Sequence, residues 1–85
     1  MAFYIYIIEC LDGSYYTGYT IDLVERMLKH KLGKGSKYVR AKGFKGLVYS
    51  EEFPSKELAM KREYFIKKSS RAYKKELVDS FVSLE

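Results

Sequence analysis

Five polar side chains in this 85-residue chain have types and spacing that could act together: Tyr6, Tyr16, Arg26, His30 and Glu63. Taken singly, each has an ordinary explanation. A strand tyrosine usually packs on a sheet, an arginine or lone histidine on a helix is usually solvated, and a helical glutamate usually pairs with a nearby lysine. As a set they contain what attack on a phosphodiester requires: a handler for the proton of water, charge on the phosphoryl oxygens and help for the leaving oxygen. The Arg26 guanidinium is planar, permanently charged and shaped to hold two phosphate oxygens. Glu63 as a single carboxylate, with water and phosphate filling the other positions, suits Mg²⁺ or Mn²⁺. Zinc would want a His/Cys cluster, and the chain has one Cys and one His. A phenol with pKa near ~10 becomes a base only where positive neighbours stabilise the phenolate. His30 suits either of two roles, relaying a proton or holding a tyrosine in place.

These side chains must be positioned by at least two strands and two helices. Phe3 to Cys10 is β-branched and aromatic, too short for a helix, and apolar enough to be covered on both faces. Ser14 to Tyr19 is its hairpin partner. Because side chains alternate across a strand, the turn decides whether Tyr6 and Tyr16 point the same way. A two-residue Asp12-Gly13 turn would set them on opposite faces. A three-residue turn, Leu11-Asp12-Gly13 with Gly13 left-handed, pairs Cys10 with Ser14 and Ile8 with Tyr16. Tyr4, Tyr6, Ile8, Tyr16 and Gly18 then share one face, and this is the register expected.

Thr20 as N-cap and Gly33 as terminator predict a helix from about Ile21 to Leu32, with Ile21, Val24, Met27, Leu28 and Leu32 as its buried stripe. Arg26 and His30 then fall one turn apart, off that stripe. Lys34 to Gly46 reads as an irregular loop with one helical turn, and Phe44 to Ser50 as a third strand. Ser55 starts a helix running to about Lys68, with Leu58, Ala59, Phe65 and Ile66 inward and Glu63 at the edge of the apolar face. A last helix over Arg71 to Val82 would cover the core with Ala72, Leu77, Val78 and Phe81. The expected fold is α/β of the α+β type: a small three-stranded antiparallel sheet, a hairpin plus one strand, flanked by about three helices in the order ββαβαα.

Length predicts a single domain over residues 1–85, its core shared among all elements. One cysteine excludes a disulfide framework, and no apolar run approaches the ~20 residues of a membrane span. With no signal segment at the N-terminus, a cytoplasmic protein is expected. The net charge of +5 hides an asymmetry: residues 1 to 25 hold no Lys or Arg, whereas residues 26 to 50 hold eight and no Asp or Glu. One-signed stretches of this kind attract polyanions. Lys29, Lys31, Lys34, Lys37, Arg40, Lys42 and Lys45, with Lys67, Lys68, Arg71 and Lys74 further on, are the expected phosphate-backbone contacts.

The triplets Tyr4-Ile5-Tyr6 and Tyr16-Thr17-Gly18, with Arg26-x-x-x-His30 and Ala59-Met60-Lys61-Arg62-Glu63 behind them, resemble the GIY-YIG nucleases over essentially the whole chain. The likeness is strongest to the small stand-alone bacterial members. It implies that Tyr6, Tyr16, Arg26, His30 and Glu63 are catalytic and that Glu63 binds a divalent metal, Mg²⁺ or Mn²⁺. The substrate it implies is nucleic acid, in the first place DNA. The departures are Tyr4 for the family's first glycine, Thr17 for isoleucine, Tyr19 where some members carry lysine, and no asparagine anywhere. A metal-dependent DNA endonuclease, of the kind used in repair or processing, is the expected activity. The alternative is a nucleic-acid-binding module on the same fold, with lysines on the backbone and tyrosines stacking on bases.

Overall fold

In the computed structural model, residues 1–83 are described. The chain runs β1 (Phe3–Cys10), β2 (Tyr15–Thr20), α1 (Leu23–Lys31), α2 (Lys37–Lys42), β3 (Phe44–Phe53), α3 (Lys56–Lys68) and α4 (Arg71–Ser83). The sheet order is β2-β1-β3, with both pairs antiparallel. This is the expected α+β arrangement with one more helix. The loop before β3 contains α2, six residues capped by Ser36 through the Val39 N–H.

The turn is the three-residue one. Gly13 N–H donates to Cys10 O at 2.9 Å and Cys10 N–H to Ser14 O at 2.8 Å, with Gly13 at φ 85°. Asp12 accepts from both the N–H and the hydroxyl of Ser14, stiffening the tip. The register that follows pairs Tyr6 with Gly18 and Ile8 with Tyr16, so the two tyrosines share a face as expected.

β1 is the central strand, and Ile5 to Ile8 are all fully buried, because both faces of the sheet are covered. On one side Ile5 and Ile7 pack with Tyr49 of β3, Ala59 and Ile66 of α3, and Val78 of α4. On the other, Tyr6, Ile8 and Cys10 pack with Val39 of α2, Leu23 and Met27 of α1, and Phe44 and Leu47 of β3. Each buried isoleucine contributes about 1.5–3 kcal/mol. β3 extends three residues past the expected Ser50, pairing Phe53 with Phe3, and a bulge at Val48 keeps Leu47 and Tyr49 on opposite sheet faces.

The helices differ from expectation in which face they bury. α1 begins at Leu23, capped by Asp22 rather than Thr20, whose hydroxyl instead accepts from the Asp22 N–H. It ends as expected at Gly33, with Gly33 N–H on His30 O and Lys34 N–H on Lys29 O closing the last turn. Its inward row is Leu23, Arg26, Met27 and His30, whereas Ile21, Val24, Leu28 and Leu32 are all more than half exposed. The apolar stripe is therefore outward except for Met27. The physical reason lies in the sheet face beneath it, which presents the Tyr6 hydroxyl and so takes a polar helix face.

α3 repeats the pattern. Ala59 and Ile66 are buried as expected, but Leu58 and Phe65 are largely exposed. Arg62 points inward instead, donating from Nε and Nη2 to Glu51 at 3.0 Å and from Nη1 to the Tyr73 hydroxyl. In α4, Val78, Leu77 and Phe81 contribute to the core while Ala72 is exposed.

Candidate active site

Tyr6 stands on the central strand, and its ring reaches across the edge strand β2 at the one position without a side chain. A Cβ on Gly18 would lie 2.4 Å from both Cζ and Oη of Tyr6. The phenol thus passes over Gly18. At its tip the hydroxyl lies 2.9 Å from Nε2 of His30, which is 2% exposed. Tyr16 closes the group, with its ring centroid 6.4 Å from Tyr6 and 5.5 Å from His30. Its hydroxyl has no hydrogen-bond partner among the described residues.

Arg26 lies one helical turn before His30. Its Nη1 donates to the Tyr19 carbonyl at 3.2 Å, and its positive charge acts on both Tyr6 and His30. Tyr6, Tyr16 and His30 therefore meet directly, with the Arg26 charge beside them. Glu63 approaches from α3, in the opposite helix layer. Its carboxylate is mostly sheltered, 3.6 Å from Lys67 Nζ, and its charge reaches the Tyr6 hydroxyl.

Burial pushes the Tyr6 hydroxyl up to about 12. Arg26 pulls it down, while Tyr16 and Glu63 push it further up, and burial wins. Burial, and after it the Arg26 charge, draws His30 below its ordinary value of 6.5. Both partners of the Tyr6–His30 bond are consequently neutral at pH 7. The positive surroundings that a Tyr6 phenolate would need are outweighed by its own desolvation.

Two neighbours went unread in the sequence. Gly35 abuts the His30 ring so closely that a Cβ there would lie 2.6 Å from Nδ1. Tyr38 stacks on Tyr16 at 5.9 Å. The pair Gly33-x-Gly35 just after the histidine is the available signal for the first, while Tyr38 falls in the Lys34 to Gly46 segment expected as an irregular loop.

Among the described residues no three His, Cys, Asp or Glu side chains cluster as a metal site. Glu63, a sheltered single carboxylate whose charge reaches the Tyr6 hydroxyl, nonetheless fits a hard cation with mostly water and phosphate ligands.

The basic side chains divide into two groups. Lys29, Lys42, Lys45 and Lys67 pair with Glu25, Asp12, Glu9 and Glu63 at 3.1–3.6 Å. Lys68 donates to the Tyr64 hydroxyl, and Arg71 donates to Gly13 O while lying over the Tyr15 ring. Lys31, Lys34, Lys37, Arg40 and Lys74 make no side-chain ion pair or hydrogen bond among the described residues.

The short antiparallel sheet that carries Tyr6 and Tyr16 on one face is that of a nuclease-type domain, as the family match shows. The GIY-YIG catalytic domain matches residues 2–76, and the chain belongs to the GIY-YIG family. It is 54% identical over 78 residues to the UPF0213 protein BH0048 of Halalkalibacterium halodurans, covering 92% of this chain and 83% of that protein. It is 50% identical over 74 residues to the UPF0213 protein VNG_2274C of Halobacterium salinarum, covering 87% and 96% respectively. The solution NMR structure of the UPF0213 protein BH0048 from Bacillus halodurans is similar with a TM-score of 0.59, over 93% of this chain and 84% of that one. Among the described residues no helix is long and apolar enough to cross a membrane.

Proposed function

We propose that this protein is a divalent-metal-dependent endonuclease that hydrolyses DNA phosphodiester bonds in the cytoplasm, in repair or processing. The observation that carries the reading is the convergence of Tyr6, Tyr16, Arg26 and His30 from two strands and one helix. Apolar packing gives no reason for it. Arg26 holds two phosphoryl oxygens and matches the charge that grows on them. Tyr6, neutral and tied to His30, positions rather than deprotonates, since its burial disfavours the phenolate. Tyr16 is the phenol whose hydroxyl is left to meet the attacking water. Glu63 would hold the cation, which when bound supplies charge to the phosphoryl and leaving oxygens.

The test is incubation of the 85-residue chain with supercoiled, linear and branched DNA, with Mg²⁺, with Mn²⁺ and with chelator. Cleavage that needs the metal is expected, falling ~10²-fold or more in Glu63→Ala and in Arg26→Ala, by the scale of a lost oxyanion donor. Glu63→Ala should still bind DNA. Binding without cleavage under either metal would replace this reading with a nucleic-acid-binding module, for which the stacked Tyr16–Tyr38 pair offers an aromatic surface.

A further inference from the structure

A cavity of about 390 Å³ lies between the end of α1 and the start of α2, lined by Gly33, Lys34, Gly35, Ser36, Lys37 and Arg40. Its chemistry is narrow. Among the described residues no apolar or aromatic side chain lines it, so it offers nothing to a nucleobase or a lipid tail. Three cations line it with no acid, and those three belong to the group without ion-pair partners among the described residues. A concave surface of one sign concentrates counter-ions more strongly than the same charges spread over a convex face. Arg40 brings a fork suited to two oxygens of one anion, with its stem laid along Gly33, where a Cβ would be 3.5 Å from its Cγ.

The position of this cavity matters as much as its charge. Gly35 forms part of the lining and presses on the His30 ring, whose other nitrogen holds Tyr6. One imidazole therefore separates the cavity from the tyrosines. By contrast Lys29, Lys42, Lys45 and Lys67 are each neutralised by a carboxylate.

We propose that this cavity is a second phosphate subsite, taking a non-scissile internal phosphate of the nucleic-acid strand whose neighbouring phosphate sits at Tyr6, Tyr16 and Arg26. The nuclease reading enters only in saying what the phosphate is attached to. Anchoring one phosphate beside His30 sets the register of the strand, and so selects which diester faces the tyrosines.

The test uses the full chain labelled with ¹⁵N, titrated with inorganic phosphate, and its affinity for a short single-stranded oligonucleotide at rising salt. Saturable shifts confined to amides of residues 33–40 are expected, lost in the double variant Lys37→Gln/Arg40→Gln. The slope of log affinity on log salt should fall by about 0.7 to 1.4 in that variant, about 0.7 for each ion pair removed. Lys75→Gln, outside the cavity, should keep the parent slope. Phosphate shifts spread over the surface, or a double variant with the parent slope, overturn the subsite. So does a tenfold gain from a terminal phosphate on the same oligonucleotide, which would make the cavity a strand-end pocket. A parent that cleaves DNA without these shifts keeps the nuclease reading and loses the subsite. A parent that shows shifts and slope but cleaves nothing keeps the subsite and loses the nuclease.

Discussion

The Tyr6 hydroxyl and His30 Nε2 lie 2.9 Å apart although 24 residues separate them in the chain. The bond joins the central strand to α1 and accounts for the polar face that this helix turns inward. A fully buried phenol needs a partner for its hydroxyl, and a leucine or valine in place of His30 would leave it orphaned. The helix meets this need at the expense of its apolar stripe.

Tyr6→Phe should therefore destabilise the protein by about 1–3 kcal/mol at neutral pH, since it leaves a buried ring nitrogen without its partner. The effect should be pH-dependent at the alkaline end. In the folded chain Tyr6 is raised from 10.0 to about 12, so its contribution is whole below pH ~10 and is lost as pH rises through ~12. Urea midpoints of parent and variant from pH 8 upward should converge above pH ~10. A gap that stays constant would refute the raised value.

His30 carries the opposite sign. Its folded value lies below 6.5, so as pH falls under 6.5 the unfolded chain takes up protons that the folded chain refuses, and stability drops until the folded value is passed. As the chain's one histidine, its ring protons in NMR give an unambiguous titration, expected below 6.5. His30→Gln should flatten the stability profile between pH 7 and 5. An imidazole titrating above 6.5 would contradict the geometry.

Gly18→Ala tests the passage of Tyr6 over β2. The added methyl would sit 2.4 Å from the phenol tip, and the ring cannot retreat without breaking its bond to His30. A loss of about 1–3 kcal/mol is expected, as for other overpacked sites, with a larger share of cleavage lost than Tyr6→Phe produces. Calorimetry together with the DNA assay would check both. An alanine variant with parental stability would mean that the ring has room to move.

Thr17 is buried with an Oγ that has no hydrogen-bond partner among the described residues. Thr17→Val keeps the branched shape and removes an unsatisfied polar atom. It should leave activity unaltered and raise stability by up to about 1–2 kcal/mol, read from the urea midpoint. Destabilisation would show that the hydroxyl is satisfied in solution.

The sheet was legible because its signals are local. β-branched and aromatic runs mark β1 and β2, whereas the turn allowed two parities, and the one that sets Tyr6 and Tyr16 on one face was expected because a shared site needs it; the structure has that turn. Ser55 and Gly33 likewise mark helix ends through bonds within one turn. The motif spacing then named five candidates, of which the structure gathers Tyr6, Tyr16, Arg26 and His30 on one face of the sheet.

What the chain could not reveal locally was the inward face of α1. Counting apolar residues favours Ile21, Val24, Leu28 and Leu32, yet the row Leu23, Arg26, Met27 and His30 is turned to the sheet. That choice belongs to the tertiary structure, because it depends on the hydrogen-bonding demand of a tyrosine on another element. The protonation of Tyr6 is of the same kind. Arg26 can be read from the sequence as a nearby positive charge, but the depth of burial that outweighs it exists only once the sheet is covered on both faces.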